Sequence, residues 1–419
     1  MSPRFTAIDG RAGPPVRVML LLGSLSGGGA ERVAVNLIDR CDPSAVDLTM
    51  ALLRRTGPYL AKVEPSRVIA PKSLRTGLLG AARAPADIAR MVRRRRPQVL
   101  MSFGMGVNML AWLALQILGE DRPLWVCRED SNTDAEIADL TGSRLGRAAV
   151  GVAVRRMYRS ADRLLAVSQD LASMIERRLA IPAGHTHVIY NPIDVAEIVR
   201  SAAMPLAEIP SRPFIVAAGR LTRQKGHDLL IEAFAASPAA REIDLVILGE
   251  GPLEGALRSR AVALGVGERV RFPGFQANPW AWFSRARLFV LPSRWEGFGN
   301  VVAEALACGV PVLVADCDFG PREQVVHGVS GWVVTANDAA ALTGGLDTLL
   351  GDPALAARLA VGGRSRAGDF DAGATARAYA DFFLELAYAS AARTAAWPSV
   401  AAGRPRPRSQ AVVAGRPVA

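Results

Sequence analysis

Short apolar runs alternate with helical patterns along the whole chain. Eleven of these runs are rich in Val, Leu and Ile and have the length of a β-strand. In chain order they are Val16–Leu22, Leu48–Leu53, Val99–Phe103, Leu124–Val126, Arg163–Val167, His187–Tyr190, Phe214–Ala218, Leu245–Leu248, Val270–Pro273, Leu288–Leu291 and Val312–Val314. Near-continuous apolar strands separated by helices are typical of parallel sheets that are buried on both faces. The pattern therefore predicts an α/β protein.

The run of strands is interrupted once, by a proline-rich stretch. Arg200–Pro213 carries three prolines and falls between the sixth and seventh strands, so we place a domain linker there. The predicted boundaries are 14–205 for the first domain and 206–368 for the second. A terminal helix is predicted over Asp369–Tyr388. The remainder, Ala389–Ala419, is rich in Ala, Pro, Gly and Arg, and we expect it to be disordered.

One segment is long enough to span a bilayer. Val99–Leu118 contains no charged residue and is preceded by Arg93–Arg96. Glycines and polar residues interrupt it, however, so we interpret Gln98–Phe103 as a buried strand, Gly104–Gly106 as a turn and Val107–Leu118 as a helix. We therefore expect a protein that is soluble or bound peripherally to a membrane.

The charge of the chain is strongly positive and unevenly spread. The 419 residues include 50 Lys and Arg against 39 Asp and Glu, a net charge of +11. Residues 1–200 carry a net +9, residues 201–388 a net −3, and the tail from Ala389 a net +5. Such an excess is typical of proteins that bind nucleic acid, an anionic membrane or an anionic substrate.

The cysteines and the N-terminus argue against a disulfide-rich, zinc-binding or secreted protein. The four cysteines, Cys41, Cys127, Cys308 and Cys317, form no CxxC pair, so neither a disulfide framework nor a structural zinc site is predicted. The N-terminus lacks the apolar segment of a secretory signal peptide, and a cytoplasmic location is the resulting prediction.

A glycine-rich loop follows the first predicted strand. Gly23–Glu31 reads GSLSGGGAE and precedes the helical run Arg32–Asp39. Consecutive glycines let the backbone approach a ligand closely, and the N-terminus of a helix favours an anion. The spelling matches neither the GxGxxG dinucleotide motif nor the GxxxxGK[ST] phosphate loop. Taken alone, this segment leaves anion binding and a flexible turn equally open.

A second loop brings two cations to the end of a strand. Gly219–Gly226 reads GRLTRQKG and follows strand Phe214–Ala218, so Arg220 and Lys225 lie where α/β proteins bind ligands. A diphosphate needs paired positive charge of this kind. The alternative is a solvated charged turn; against it, Lys225 is one of only three lysines in the chain.

A third motif places two carboxylates eight residues apart. Pro292–Glu304 reads PSRWEGFGNVVAE, with Glu296 in the loop and Glu304 in a helix predicted to begin near Asn300. Amides at that helix start could hold a phosphate, while the carboxylates accept sugar or ribose hydroxyls. A fourth motif, Phe319–Gly331, is a glycine-punctuated loop after strand Val312–Val314.

Together and in this order, the motifs closely resemble glycosyltransferase family 4, a retaining family with the GT-B fold. In the second half the resemblance rests on GRLTRQKG, LGEGP, RFPGF, PSRWEGFGNVVAEALACGVPV and GPREQVVHGVSGW. In the first half GGGAERVAVNLI, ADRLLAVSQDLA and VIYNPID look like the same family. The resemblance covers roughly Val16 to Tyr388.

The resemblance implies two Rossmann-like domains that face a cleft, with the acceptor on the first domain, the nucleotide sugar on the second, and the terminal helix packed back on the first. Arg220 and Lys225 would hold the diphosphate, and Glu304 the ribose. Glu296 would hold the transferred sugar with Gly297–Gly299. The implied catalytic residues are Glu296, Arg220 and Lys225, and the implied donor-binding residues are Gly28, Gly29, Arg220, Lys225, Phe275, Glu296, Gly297, Phe298, Gly299, Asn300, Val301 and Glu304. No cofactor is implied, and no metal, because protein cations stabilise the leaving diphosphate.

The acceptor side is less clearly marked. Cys127–Asp130 ends a strand that should face the cleft, where relatives with lipid-diphosphate acceptors carry a Ser-Glu-Arg-Asn type sequence from which this chain departs. Arg128 and Glu129 are candidate acceptor contacts, as is Asn108 at the start of a helix. For all three a structural role is the favoured alternative.

Two features of the sequence are similar to metal-binding patterns. Asp316-Cys317-Asp318 spells DxD, the divalent-metal motif of the other glycosyltransferase fold, but it directly follows an apolar strand, which favours a polar strand end. None of the four histidines has an acidic partner at a recognisable metal-binding spacing.

The sequence therefore predicts a retaining glycosyltransferase of polysaccharide biosynthesis. It would move a sugar from a nucleoside diphosphate donor, a UDP-sugar, to a lipid-linked or cell-surface glycan at the anionic inner face of the membrane. One alternative is a nucleotide-sugar epimerase of similar fold, against which the paired glutamates argue. The other is a basic nucleic-acid-binding protein, which is disfavoured because only 6% of residues are aromatic and no recognition motif is spelled.

Overall fold

The structure of the protein is a computed structural model that describes residues 14–71, 78–141, 143–182, 185–206 and 210–396. Part of the predicted linker, residues 207–209, lies outside the described residues. The same is true of residues 397–419 of the predicted tail.

The first domain is built on a seven-stranded parallel sheet. Its strands are β1 (Val16–Leu22), β2 (Val46–Leu52), β3 (Val68–Ile69), β4 (Val99–Phe103), β5 (Leu124–Glu129), β6 (Arg163–Ala166) and β7 (Thr186–Val188). Its helices are α1 (Gly29–Arg40), α2 (Leu78–Arg95), α3 (Met105–Leu118), α4 (Thr133–Leu140), α5 (Arg144–Arg159), α6 (Gln169–Leu179) and α7 (Val195–Ala202). The strand order across the sheet is β3-β2-β1-β4-β5-β6-β7.

The second domain is built on a six-stranded parallel sheet. Its strands are β8 (Phe214–Ala218), β9 (Asp244–Leu248), β10 (Val270–Gly274), β11 (Leu288–Leu291), β12 (Val312–Asp316) and β13 (Trp332–Thr335). The helices that follow β8 are α8 (His227–Ala236), α9 (Glu254–Ala263), α10 (Trp280–Phe283), α11 (Asn300–Cys308), α12 (Pro321–Gln324), α13 (Ala339–Gly351), α14 (Pro353–Ala367) and α15 (Ala372–Ala396). The strand order is β10-β9-β8-β11-β12-β13.

Both faces of each sheet are covered, as near-continuous apolar strands require. In β1, Met19 and Leu21 point into the core formed with α2, α3 and α5, while Val18 and Leu20 point into the core formed with α1 and α15. This alternation is the two-residue period of a strand. The helices that pack on the first sheet are thereby sorted into two layers, whereas α7 packs on α10 and α11 of the second domain. The predicted α/β fold is confirmed as two Rossmann-like domains.

The last helix returns to the first domain. Tyr379, Phe383 and Leu386 of α15 are buried in the core that β1 and α1 share. The helix also continues past Tyr388, the end predicted from the sequence, to Ala396.

The uncharged segment Val99–Leu118 forms β4 and α3, joined by Gly104 alone. The strand–turn–helix interpretation is thus confirmed. Within the part of the chain that the structure describes, no helix is both long and apolar enough to cross a membrane.

Candidate active site

The candidate site lies where the strand order reverses in each of the two sheets. In doubly wound sheets a crevice forms at the carboxyl ends of the strands where the strand order reverses. The reversal lies between β1 and β4 in the first sheet and between β8 and β11 in the second. The glycine loop Gly23–Gly28 leaves the first reversal, and the loops Gly219–Gly226 and Pro292–Gly299 leave the second. Three of the four sequence motifs therefore lie at the two crevices.

The two loops of the second domain touch because one position lacks a side chain. Gly226 has φ +64°, and a Cβ atom on it would lie 2.1 Å from the carbonyl oxygen of Pro292. Any larger residue would push the loops after β8 and β11 apart. This contact places Lys225 directly against Glu296.

Glu296 is held by two side chains of its own domain. Lys225 Nζ forms an ion pair with Glu296 Oε1, and Ser293 Oγ donates to the same oxygen at 2.7 Å. The glutamate is 5% exposed. Both contacts use Oε1, so Oε2 has no hydrogen-bond partner among the described residues and is available to a ligand hydroxyl.

Arg220 differs from Lys225 in having no partner among the described residues. Its side chain is exposed and forms no hydrogen bond or ion pair with the described residues. A guanidinium that is free in this way can bind a phosphate through two parallel hydrogen bonds.

The start of α11 adds a second attraction for an anion. Gly299 caps the helix with φ +83° and offers no side-chain hydrogen bond to the first turn, which contains no acidic residue. The first amides of a helix lack intrahelical partners and carry the positive end of its dipole. The predicted donor residues Asn300 and Val301 form this first turn. The loop after β8 and the start of α11 thus bring groups of the kind that bind anions to the same end of the second sheet.

Glu304, one turn further along α11, is 1% exposed and has partners from both domains. Trp280 Nε1 donates to its Oε2 at 2.9 Å, and Arg32 Nη1 of the first domain forms an ion pair with its Oε1. Burial opposes the charge of Arg32, but Glu304 and Tyr59 outweigh that effect and raise the pKa of the guanidinium above its ordinary value.

A cavity of about 310 Å³ opens beside this ion pair, between the two domains. The residues that line it include Arg32, Tyr59, Phe275, Ala277, Trp280 and Glu304. Phe275, predicted as a donor contact, is 48% exposed. The cavity therefore combines a buried carboxylate with aromatic surface, a combination that suits a nucleoside.

The two domains meet through the predicted donor residues. Asn300 Nδ2 donates to the carbonyl of Gly29 at 3.4 Å, and Asn191 Nδ2 donates to Asn300 Oδ1 at 2.7 Å. Ser168 Oγ donates to the carbonyl of Gly297 at 2.8 Å. A Cβ atom on Gly297 would lie 1.8 Å from the carbonyl oxygen of Asp130, so a glycine is required there for the cleft to close this far.

The remaining predicted donor residues act through their backbone or their packing. Gly28 caps α1 in an extended conformation. Phe298 is 1% exposed and packs against Tyr190 and Phe370, with ring centroids 5.7 and 5.3 Å away. Its side chain therefore supports the interface between the domains.

Arg128, a predicted acceptor contact, is completely buried. Nε donates to Tyr379 Oη at 3.0 Å, Nη2 donates to Asn191 Oδ1 at 2.5 Å, and the guanidinium lies 4.7 Å from the ring of Phe103. These contacts tie β5 to α15 and to the cleft residue Asn191. A direct contact between Arg128 and an acceptor stays a prediction.

The other two predicted acceptor residues are also buried. Asn108 accepts from Ser102 Oγ at 2.6 Å and donates to the carbonyl of Arg128 at 2.9 Å. Glu129 is 1% exposed and accepts from the hydroxyl of Tyr158. Burial, and then the charge of Glu136, raise the pKa of Glu129 to about 8.

The two metal-like patterns are used structurally. Asp316 is the last residue of β12, as predicted, and its carboxylate binds the guanidinium of Arg322 through two contacts. His227 begins α8 and is buried, and burial together with Lys225 lowers its pKa to about 3. Across the described residues, no three His, Cys, Asp or Glu side chains are grouped as a metal site would require.

The sequence did not predict the side chains that hold Glu304 and its ion-pair partner in place. Arg32 lies 272 positions before Glu304. Trp280, which also contacts Glu304, and Tyr59, which holds Arg32, lie outside the sequence motifs. One signal was present, because Arg32 directly follows the glycine loop in GGGAER.

The chain is similar to glycosyltransferases in both halves. Residues 27–197 match the family described as Glycosyltransferase Family 4, and residues 205–366 match Glycosyl transferases group 1. The mannosyltransferase LpsB of lipopolysaccharide core biosynthesis in Rhizobium meliloti is 30% identical over 245 residues, 56% of this chain and 67% of that protein.

Two further likenesses differ in extent. N-acetylgalactosamine-N,N'-diacetylbacillosaminyl-diphospho-undecaprenol 4-alpha-N-acetylgalactosaminyltransferase of Campylobacter jejuni is 32% identical over 51% of this chain, which spans only 58% of that protein. The solved structure of Anabaena HepE in complex with UDP and glucose superposes with a TM-score of 0.70 at 22% identity, covering 88% of this chain and 99% of HepE. At that identity the likeness is one of fold.

Proposed function

The chain belongs to glycosyltransferase family 4 and has the GT-B fold, and we propose that it is a retaining hexosyltransferase that takes its sugar from a UDP-sugar. The acceptor is a lipid-linked or cell-surface glycan. One observation carries the proposal: Arg220, the Lys225–Glu296 pair and the open start of α11 meet at the reversal of the second sheet.

The chemistry follows from where these charges lie. When the bond between the sugar and the diphosphate breaks, negative charge develops on the diphosphate. The guanidinium of Arg220, the ammonium of Lys225 and the amides of α11 lie at the same end of the second sheet and stabilise that charge, which lowers the barrier. Glu296 Oε2 accepts a hydrogen bond from a hydroxyl of the sugar. The acceptor hydroxyl then attacks the sugar carbon from the face that the diphosphate has left and gives its proton to the departing diphosphate, so the configuration at that carbon is retained.

The choice of donor and acceptor is supported by relatives. HepE is described as a complex with UDP and glucose. The Campylobacter relative is named for a diphospho-undecaprenol-linked sugar as acceptor. LpsB is named for lipopolysaccharide core biosynthesis. A pathway that builds an envelope polysaccharide from lipid-linked intermediates at the cytoplasmic face of the membrane fits the last two relatives.

Neither a metal nor a cofactor enters this proposal. The carboxylate of Asp316, which would have to bind a cation in a DxD site, is neutralised by Arg322. We expect transfer to persist in EDTA. Complete loss of activity in EDTA, restored by manganese, would make Asp316 and Asp318 metal ligands instead.

A panel of nucleotide sugars tests the proposal. The purified chain is incubated with UDP-, GDP-, ADP- and dTDP-sugars, and the products are separated by chromatography. Slow hydrolysis of a UDP-sugar is the expected result, because water replaces the missing acceptor. Isomerisation of the nucleotide sugar would mark an epimerase, and no conversion or binding of any donor would contradict the proposed function.

A variant pair then assigns the reaction to this site. Arg220→Ala should slow the hydrolysis of the sugar donor by tenfold or more, the order expected for one charge-assisted hydrogen bond of about 1.5–3 kcal/mol. Arg241→Ala removes an exposed arginine of the same domain and serves as the matched control. Equal rates in the two variants would remove Arg220 from the diphosphate site.

A further inference from the structure

Arg32 is the one arginine of α1 that faces the cavity between the domains, and its orientation is fixed by its own domain. Its Nε and Nη2 donate to the hydroxyl of Tyr59 at 3.1 and 2.9 Å. Tyr59 lies in the 3₁₀ turn Pro58–Lys62, next to the glycine loop. With Nε and Nη2 anchored, the planar guanidinium presents Nη1 to Glu304. The first domain thus holds a cation ready for the carboxylate of the second.

The carboxylate of Glu304 is oriented from two sides. Oε1 pairs with Arg32, while Oε2 accepts from Trp280 Nε1 at 2.9 Å. The guanidinium also lies 5.5 Å from the ring of Trp280. Each carboxylate oxygen accepts up to two hydrogen bonds, so one acceptor position on each oxygen stays available. Two adjacent acceptor positions on a fixed carboxylate match the two neighbouring hydroxyls of a ribose.

Arg32 is also necessary on electrostatic grounds. Glu304 is 1% exposed, and a buried carboxylate without a countercharge is strongly unfavourable. Among the described residues, Arg32 is the cation that pairs with it. Without Arg32 the carboxylate would keep only the indole of Trp280 and would turn toward water.

We propose that Arg32 is a positioning residue for the donor nucleotide: the first domain supplies it to fix Glu304, so that the ribose hydroxyls are recognised only when the two domains are closed. This inference rests on the proposed function, because it takes Glu304 to be the ribose contact. It adds a side chain of the acceptor domain to a site whose other proposed side-chain contacts belong to the second domain, and so couples closure of the cleft to recognition of the ribose.

The experiment compares two ligands that differ only at the ribose. Dissociation constants are measured by titration calorimetry for UDP and for 2′,3′-dideoxy-UDP, which lacks both ribose hydroxyls. The wild-type chain should prefer UDP. Arg32→Gln should weaken UDP binding about tenfold, as expected for the loss of a charge-assisted contact, and change dideoxy-UDP binding less than about twofold. The preference for UDP should therefore nearly vanish.

Two variants make the test specific. Tyr59→Phe keeps the charge of Arg32 but removes the hydroxyl that orients it, and should reduce the preference for UDP by a smaller factor. It also keeps the test decisive if Arg32→Gln fails to fold. Arg40→Gln is the matched control, because Arg40 lies on the same helix and pairs with Asp194 rather than with Glu304. It should retain the wild-type preference.

Three outcomes would overturn the inference. Equal weakening of UDP and dideoxy-UDP in Arg32→Gln would mean that Arg32 acts on the diphosphate or on closure alone. Tighter binding of UDP would mean that Arg32 competes with the ribose for Glu304. An unchanged preference in both Arg32→Gln and Tyr59→Phe would give Arg32 no part in ribose recognition. Absence of UDP binding by the wild-type chain is a different failure, which would overturn the proposed UDP site and this inference with it.

Discussion

Glu129 ends β5 at the cleft edge of the first sheet, yet water barely reaches its carboxyl group. The pKa of about 8, raised from an ordinary value of 4.5 by burial and by Glu136, keeps it protonated at neutral pH. In the unfolded chain the same carboxyl titrates near its ordinary value. Between pH 4.5 and 8 the folded chain therefore holds a proton that the unfolded chain has lost, and the free energy of unfolding falls as the pH rises through this window.

Replacing Glu129 should remove that dependence. We expect the urea midpoint of the wild-type chain to fall relative to that of Glu129→Gln as the pH is raised from 5 to 8. The free energies of unfolding of the two chains, obtained from these urea curves, should diverge by about 1 kcal/mol per pH unit. Glu120→Gln, an exposed glutamate of the same domain, is the control and should follow the wild-type curve. Parallel curves for the wild type and Glu129→Gln would show that Glu129 is ionised in the folded chain.

The sequence revealed those candidate residues that lie in motifs directly after recognisable strands. Lys225 and Glu296 belong to loops whose strands are recognisable as buried runs, so their meeting at adjacent strand ends could be predicted. The pairing of Arg32 with Glu304 could not, since it depends on how far the two domains close. The burial of Arg128 was equally hidden, because its partner Tyr379 lies on a helix 251 positions away.

Helix α6 of the first domain is capped by a residue of the second. The backbone amides of Gln169 and Asp170 each donate at 2.9 Å to the carboxylate of Glu323, and Tyr190 Oη donates to it at 3.0 Å. A carboxylate at this position satisfies two amides that lack helical partners and interacts favourably with the helix dipole. Because Glu323 belongs to α12, this cap exists only while the domains are closed.

Removing the cap should open the cleft. We expect Glu323→Ala to increase the mean radius of gyration measured by small-angle X-ray scattering, because the closed arrangement loses contacts with two amides and a hydroxyl. Asp338→Ala is the matched control: Asp338 caps α13 inside the second domain, where its carboxylate accepts from Ala341 N at 2.9 Å. It should lower stability by about 1 kcal/mol without changing the radius. An equal radius in both variants would contradict a role for Glu323 in closure.

The elements that the sequence missed are edge strands. All eleven predicted strands are present, but β3 and β13 were not predicted. β3 has two residues, which are too few for a periodic pattern. None of the four residues of β13 is fully buried. Neither strand therefore has the buried apolar run that is typical of the central strands. Each of the two pairs with a single neighbouring strand, β3 with β2 and β13 with β12. A local sequence pattern carries no information about this pairing.

The two domains of the molecule carry net charges of opposite sign. Residues 1–200 carry a net +9, whereas residues 201–388 carry a net −3. Helices α2 and α5 both pack against α3, so their charged surfaces lie on the same side of the first sheet. The exposed arginines of these two helices and of the residue that follows α2 are Arg83, Arg90, Arg93, Arg94, Arg95, Arg96, Arg144, Arg147, Arg155, Arg156 and Arg159.

Apolar side chains lie among these cations. Leu145 is 87% exposed and Val152 is 68% exposed, both on α5 between its arginines. A helix that presents arginines together with exposed apolar residues is suited to the interface of an anionic bilayer. Each arginine near such a surface contributes about 1 kcal/mol, so a few of them suffice for reversible binding. The second domain, at a net −3, has no comparable attraction and would face away from the membrane.

Vesicle sedimentation tests this arrangement. The chain should bind vesicles that contain anionic phosphatidylglycerol and should be released as salt is raised, because exposed charges are screened beyond a Debye length. Changing Arg93–Arg96 to glutamine should weaken the binding strongly, because four of the eleven exposed arginines are lost. The matched control changes four exposed arginines of the second domain, Arg212, Arg241, Arg258 and Arg260, and should bind as the wild type does. Equal binding to neutral vesicles, or equal losses in the two variants, would show that the arginines of the first domain decorate a solvated surface, and the acceptor would then have to reach the cleft without help from the membrane charge.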